Sequence, residues 1–316
     1  SIKHLKLAIK HNPNFIKGRI SLSTVCHSAV PGWHIPMMND KERNNAYAEA
    51  IKLAINDGAF VLDIGTGSGL LSMMAASSGA GKVITCETSK TIADVAKQII
   101  SCNGFEEKIS VLNKKSTDLI VGQDLPQRAD LIISEVLSSE FVGEGVRITS
   151  LDARKRLLKE GGTIIPQSGK IRVSLIGNSS EVYNATTLDC INGFDMSKFN
   201  SISKSKFGLS LRDKPLFLSE PKDAFDISLS HGDELLKEDK QIKLQVNQDG
   251  LCLGIIQWLW VHLYKDIEYE NKPGENNSHW MTPVYRFDEP IRVKVGDVLH
   301  IRAILGDDNV WFYKLS

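Results

Sequence analysis

Three acidic side chains, Glu135, Glu140 and Glu144, fall within ten residues of one segment, Ser134-Glu135-Val136-Leu137-Ser138-Ser139-Glu140-Phe141-Val142-Gly143-Glu144-Gly145. Two carboxylates that converge on one point repel each other unless a cation sits between them. A planar cation with donors on several edges, a guanidinium, suits such a pair. The competing reading is a solvated acidic loop. A second cluster lies upstream, in Val61-Leu62-Asp63-Ile64-Gly65-Thr66-Gly67-Ser68-Gly69-Leu70. Gly65, Gly67 and Gly69 follow a short apolar run and open a helical pattern, where glycine permits a tight turn and a close ligand. The spacing is G-x-G-x-G rather than the G-x-G-x-x-G of dinucleotide folds. Glu87 stands 24 residues after Asp63 at the end of the next apolar run. A carboxylate there can accept both hydroxyls of a ribose. The two clusters together predict a nucleoside-containing ligand beside a cation-binding loop.

These residues need a scaffold that brings strand ends together. Residues 40–56 read as an amphipathic helix with Asp40 as N-cap. Beyond it, apolar runs at 59–64, 82–86, 109–113 and 129–134 alternate with helical patterns at 70–78 and 91–103. That alternation predicts a parallel sheet with helices on both faces. After Gly161-Gly162-Thr163-Ile164-Ile165-Pro166 the character changes to period-two strands, as in Lys170-Ile171-Arg172-Val173-Ser174-Leu175. Further strands are expected at 242–246, 259–263, 291–295 and 298–303, so this half reads as antiparallel β. Residues 185–222 break the pattern and are expected to form a helical excursion. The expected organisation is a leader at 1–30, a ligand-binding domain at 31–165, and an antiparallel β domain at 166–316 with the excursion at about 185–222.

Composition bounds the rest. The chain of 316 residues balances 38 basic against 38 acidic side chains. Residues 1–30 carry five bases (Lys3, Lys6, Lys10, Lys17 and Arg19) and no acid, which leaves the body at −5. A basic nucleic-acid footprint is not expected there, so no direct nucleic-acid partner is predicted. No apolar run is long enough to span a membrane, and the N-terminus has no signal-like core. Five cysteines without a CxxC pair argue against a disulfide framework or zinc ribbon, so no metal is predicted. The missing initiator Met implies a piece of something longer. The segment Leu5–Phe15, closing at Asn12-Pro13, looks like the end of a tetratricopeptide helix.

The Asp63-Ile64-Gly65-x-Gly67-x-Gly69 form resembles motif I of the S-adenosylmethionine-dependent methyltransferases. The whole chain from about 30 to 315 resembles the protein arginine methyltransferase family. Glu135 and Glu144 have the spacing of its "double-E" loop, Gly193-Phe194-Asp195-Met196-Ser197 resembles the approach to its dimerisation arm, and Ser278-His279-Trp280 resembles its Thr-His-Trp loop with Ser for Thr. Trp33-His34-Ile35-Pro36-Met37-Met38-Asn39-Asp40 and Phe141-Val142-Gly143-Glu144-Gly145 are similar to the seventh and ninth types, in the active N-terminal module; the segment at 5–15 favours the ninth.

The resemblance implies an α/β + β architecture: a Rossmann-like, seven-stranded-type methyltransferase domain followed by a β-barrel-like domain with a helical arm, so that 166–316 is the β-barrel substrate domain and the excursion at about 185–222 its arm. It implies S-adenosylmethionine as cofactor, with S-adenosylhomocysteine as product. Arg43 would take the cofactor carboxylate and Glu87 the ribose, with His34, Met37, Asp63, Gly65, Gly67, Gly69 and Ser116 around the same molecule. Glu135 and Glu144 would clamp the substrate guanidinium, Asp40 and His279 would relay a proton, and Trp280 would bind substrate. Glu140 has no clamp role and is expected in solvent or against basic residues beside the target arginine. The stretch Val136-Leu137-Ser138-Ser139 lacks the Trp-Met-Gly-Tyr of asymmetric dimethylating members, which leaves monomethyl or symmetric dimethyl product. Implied partners are an arginine-containing protein, RNA-processing proteins among them, and either a homodimer or a second module of the same chain. The implied location is cytoplasmic or nuclear. The alternatives are a small-molecule methyltransferase and a catalytically weak interaction module.

Overall fold

The computed structural model describes residues 2–210, 214–232, 237–275 and 278–315. Two helices lead, α1 (Ile2–His11) and α2 (Ile16–Ala29), packed against each other across the Asn12-Pro13 turn. The second of these has no clear sequence signature, because its apolar residues are spread around the helix and Gly18 weakens it. Next come α3 (His34–Asn39) and α4 (Lys41–Ala54). Asp40 caps α4 as expected, its Oδ1 accepting from the Arg43 backbone N–H at 3.0 Å.

The alternating half follows: β1 (Phe60–Ile64), α5 (Leu70–Ser77), β2 (Lys82–Cys86), α6 (Lys90–Cys102), β3 (Ile109–Leu112), β4 (Ala129–Ser134), α7 (Val146–Arg156) and β5 (Leu158–Ile165). The strands form one parallel sheet in the order β3-β2-β1-β4-β5. Both faces are covered, which is why the strands read as continuous apolar runs. Val61, Val83, Leu131 and Ile133 pack on α4, α5 and α6, while Leu62, Ile84 and Ile132 pack on Leu119, Leu125 and the α7 side. The sheet has five strands among the described residues. Where the seven-stranded pattern would extend it, the chain instead enters the antiparallel half.

That half begins with β6 (Ser168–Gly177) and α8 (Ser180–Thr186). A small hairpin of β7 (Cys190–Ile191) and β8 (Phe194–Asp195), a 3-10 turn over Ser197–Ile202 and β9 (Lys206–Leu209) complete the arm. The excursion expected at 185–222 is therefore only slightly helical, because Asn192-Gly193 makes a tight turn in its middle. Residues 211–213 lie outside the described residues. Then follow β10 (Lys222–Ser228), β11 (Glu238–Gln245), β12 (Gly250–Tyr264), β13 (Ile267–Glu270), β14 (Thr282–Val293), β15 (Val298–Leu305) and β16 (Val310–Lys314). They form a sheet ordered β10-β6-β12-β14-β9, with β13 on β12, and a second sheet ordered β11-β15-β16. One apolar cluster runs from Tyr47, Ala50 and Ile51 of α4 through Phe141 to Ile171, Ile255, Tyr285 and Phe312. The two halves thus share a core, and the functional loops lie between them.

Candidate active site

The glycine turn after β1 takes left-handed backbone at all three glycines, with φ of 88° at Gly65, 51° at Gly67 and 85° at Gly69. At Gly65 a Cβ would also come within 2.9 Å of Val136 at the start of the clamp loop, so the two loops touch here. Glu87 follows β2, and its carboxylate accepts from Ser89 N at 2.8 Å and Gly67 N at 3.3 Å. This fixes the acid beside the glycine turn. A cavity of about 500 Å³ opens there, lined by the turn, Glu87, α3 and the clamp loop.

The cavity gathers residues from widely separated positions. His34, Met37, Arg43, Gly65, Gly67, Glu87, Ser116, Glu135 and Glu144 all line it. Asp63 and Gly69 do not. Asp63 is buried beneath the turn, where its Oδ2 accepts from Ser72 Oγ at 2.5 Å and Thr85 Oγ1 at 3.1 Å. Burial pushes its carboxyl up to about 7. It therefore ties β1 to β2 and α5 rather than reaching ligand space. Gly69 caps α5 and sits against Ile100, where a Cβ would come within 3.0 Å. Its role is helix packing.

Arg43 and Glu135 form a buried ion pair, Nη2 to Oε2 at 2.5 Å, with both side chains 5% exposed or less. The guanidinium lies over Tyr47, 5.0 Å from its centroid, and its Nη1 donates to Asn44 Oδ1 at 2.7 Å. Arg43 Nε and Glu135 Oε1 are buried without protein partners. Burial raises the Glu135 carboxyl to about 7; Arg43 pulls it down and Glu144 pushes it up. Glu144 stands at the open end of the cavity. Protein packed on one side raises its pKa, and His34 opposes that rise. His34 itself is stacked on Trp33, centroids 4.0 Å apart, with Nδ1 3.1 Å from Pro31 O.

The predicted acid–imidazole pair exists. His279 Nδ1 is 3.0 Å from Asp40 Oδ2, which also receives His279 N–H at 3.2 Å and the Tyr269 hydroxyl at 3.1 Å. Burial works against the Asp40 charge, yet the bonds from His279 and Arg43 hold its carboxyl below the usual range. The pair lies one residue layer behind Arg43, outside the cavity lining.

Two expectations are corrected. Trp280 is not turned into the cavity: buried, it donates from Nε1 to Leu137 O at 2.9 Å and packs on Tyr269 and His279. It braces the clamp loop's backbone. Glu140 is only partly exposed and is paired within the protein. Its Oε2 lies 2.5 Å from Lys206 Nζ and accepts from Val310 N at 3.1 Å. The apolar wall behind the loop cannot leave a carboxylate unpaired, so a lysine meets it. Sequence reading missed Lys206, Gln257 and Tyr285. Only Gln257 carried a signal, as a lone polar residue in the apolar run of β12.

Comparisons with known proteins place the chain in a family. Residues 47–179 match the family model described as ribosomal protein L11 methyltransferase (PrmA). An arginine N(omega)-methyltransferase of Streptomyces achromogenes subsp. streptozoticus is 35% identical over 286 residues, covering 89% of this chain and 78% of that one. The chain belongs to the arginine N-methyltransferase family. Its members use S-adenosylmethionine, and the chain is an enzyme of that class. The protein arginine N-methyltransferase 7 of Oryza sativa subsp. indica is 32% identical over 249 residues, covering 72% of this chain. The chain spans only 34% of that relative's length and 45% of the Gallus gallus protein arginine N-methyltransferase 7. These relatives carry the seventh type's name, and the preference for the ninth type is not confirmed. The Trypanosoma brucei PRMT1 enzyme–prozyme heterotetrameric complex with AdoHcy shares the fold, with a TM-score of 0.77 at 21% identity over 92% of this chain and 98% of that one. Arabidopsis thaliana protein arginine methyltransferase 10 shares it as well, with a TM-score of 0.72 at 20% identity over 92% and 97%.

Proposed function

We propose that the enzyme methylates a guanidinium nitrogen of arginine in protein substrates, giving monomethylarginine and, pocket size permitting, symmetric dimethylarginine. The observation that carries this reading is that Glu135 and Glu144 face the same cavity as Arg43, Glu87 and the glycine turn. The donor set suits S-adenosylmethionine. The orphaned Arg43 Nε offers a donor for its carboxylate, Glu87 accepts from its ribose, and Gly65 and Gly67 admit its amino-acid end. His34, Met37 and Ser116 complete the wall. When bound, the cofactor supplies an electrophilic methyl on its sulfonium.

The chain's part is positioning and charge. Guanidinium is a poor nucleophile because its lone pairs are delocalised. Glu135 and Glu144 hold it by charge-assisted hydrogen bonds and aim one nitrogen along the transfer line. Alignment of this kind supplies on the order of several kcal/mol. Their negative field stabilises the cation throughout transfer. The methylated nitrogen must then lose a proton. Asp40 holds the buried His279 ring by its Nδ1, and this pair is the candidate to take part in that proton loss.

A second reading has its own support. The Streptomyces relative is named for arginine rather than for protein arginine, and it aligns over most of its length. Free arginine is then the substrate. Labelled S-adenosylmethionine offered with arginine peptides and with free L-arginine separates the two. Methyl on peptides at the higher kcat/KM supports the protein reading, and a preference for the free amino acid overturns it. Fragmentation of the product assigns mono- or symmetric dimethylarginine. RNA-processing proteins are the class of peptide to test first, in keeping with a cytoplasmic or nuclear enzyme. The arm exposes Ile191, Phe194, Met196, Phe199 and Ile202, an apolar face suited to a second copy or to a second module of a longer chain.

A further inference from the structure

We propose that Lys206 and Glu140, with Gln257 and Tyr285, are positioning residues that set the clamp loop for catalysis. The inference rests on the clamp reading above.

The loop between Glu135 and Glu144 is an irregular hairpin closed by a backbone bond from Phe141 N–H to Ser138 O at 2.8 Å. Ser138 Oγ accepts from the backbone N–H of Glu140 and Gly143 at 3.1 and 2.9 Å. Phe141 takes φ of 69°, a conformation a side chain adopts only when its surroundings impose it. Such a segment has no intrinsic reason to hold two glutamates at fixed separation. Arg43 holds its first glutamate, and the β-barrel half holds its middle.

The ties form a closed circuit. Glu140 Oε2 takes the ion pair from Lys206 and the Val310 N–H. Lys206 Nζ also donates to Val310 O at 3.2 Å and lies over the Trp311 and Tyr285 rings at 4.8 and 5.2 Å. The Tyr285 hydroxyl donates to Gln257 Oε1 at 2.8 Å, with Val310 O 3.1 Å away. Gln257, fully buried in β12, donates from Nε2 to Ser139 O at 3.3 Å. The circuit returns to the residue before Glu140. Residues 139 and 140, midway between the clamp glutamates, are thus pinned to four strands, β9, β12, β14 and β16.

The network is buried at Gln257 and Tyr285 and part-buried at Lys206 and Glu140, and a satisfied network of this kind fixes one geometry. No member lines the cavity. Lys206 also opens β9, the last strand of the arm, and Arg286 of β14 donates to Asn200 O in the arm at 2.7 Å. The circuit therefore connects the arm's base to the clamp.

The test measures kcat, KM and the Kd for S-adenosylhomocysteine in Lys206→Met, Glu140→Gln and the double variant, with whichever arginine substrate the wild type turns over. Misplacement by about 1 Å costs up to about 10²-fold in rate. Each single variant is expected to lose at least about tenfold in kcat with its cofactor Kd within about twofold of wild type. The double variant should be no slower than the worse single, because the two groups act as one unit. Lys206→Arg should restore most of the rate. If Lys206→Met does not fold, Tyr285→Phe, which removes one oxygen, carries the same expectation. Wild-type kcat in folded single variants overturns the proposal, as does a double variant whose loss equals the product of the singles. A wild type that methylates no arginine overturns the clamp reading itself, so the two failures are distinct.

Discussion

Glu135 works against its own burial. Left alone in this pocket it would hold a proton, and its carboxyl is pushed up to about 7 even with Arg43 2.5 Å away. The clamp functions only when charged. Below its pKa the acid is neutral and cannot hold a cation, so activity falls as pH drops through that value. The expected kcat/KM profile has an acid limb near pH 7, and the limb of kcat lies lower because a bound guanidinium favours the carboxylate. Because Glu135 and Glu144 interact, the limb belongs to the pair. A profile flat from pH 5 to 8 contradicts this. Residue types and spacing pointed to Glu135, Glu144 and Glu87, while Arg43, Asp40 and His279 came from the family resemblance. Neither was enough for Asp63, Trp280 and Glu140, whose partners come from strands far away in sequence. A carboxylate's neighbours, and so its job, follow from tertiary packing.

At the level of elements, β1 to β4 were readable because both faces of a parallel strand are buried. Barrel strands were readable by alternation, but their pairing was not. β12 lies between β6 and β14, and nothing local in its sequence says so. Phe141 shows the consequence. Its ring fills the space over Gly169 of β6, where a Cβ would come within 2.1 Å of Cε2. Gly169→Ala is expected to force the ring and the clamp loop outward, at about 1–3 kcal/mol of stability. Thermal melting measures that cost, and kcat should fall with it while S-adenosylhomocysteine affinity stays near wild type. A variant with wild-type melting and rate would show that the loop does not depend on this contact.

Across the whole molecule, the parallel half carries the glycine turn and Glu87, and the barrel half bonds to residues 139 and 140 of the loop between Glu135 and Glu144. Their shared core makes the cavity one site. The sequence shows the change of character near 165, but not that one apolar cluster crosses it. The arm leaves Phe194 71% and Ile202 76% exposed. Surface of this kind is covered in working oligomers. Sedimentation should show self-association of the isolated chain, lost in Phe194→Glu. A monomer at all concentrations with full activity would remove the arm from the account.

On the proposed reading, two glutamates present an arginine to the methyl group. Its most direct test is site-mapped methyl incorporation with labelled S-adenosylmethionine, comparing wild type with Glu144→Gln. Label is expected on an arginine guanidinium nitrogen, reduced at least about 10²-fold in the variant while S-adenosylhomocysteine still binds. Equal incorporation by both proteins, or cofactor binding with no label on any arginine, free or in a peptide, would contradict it.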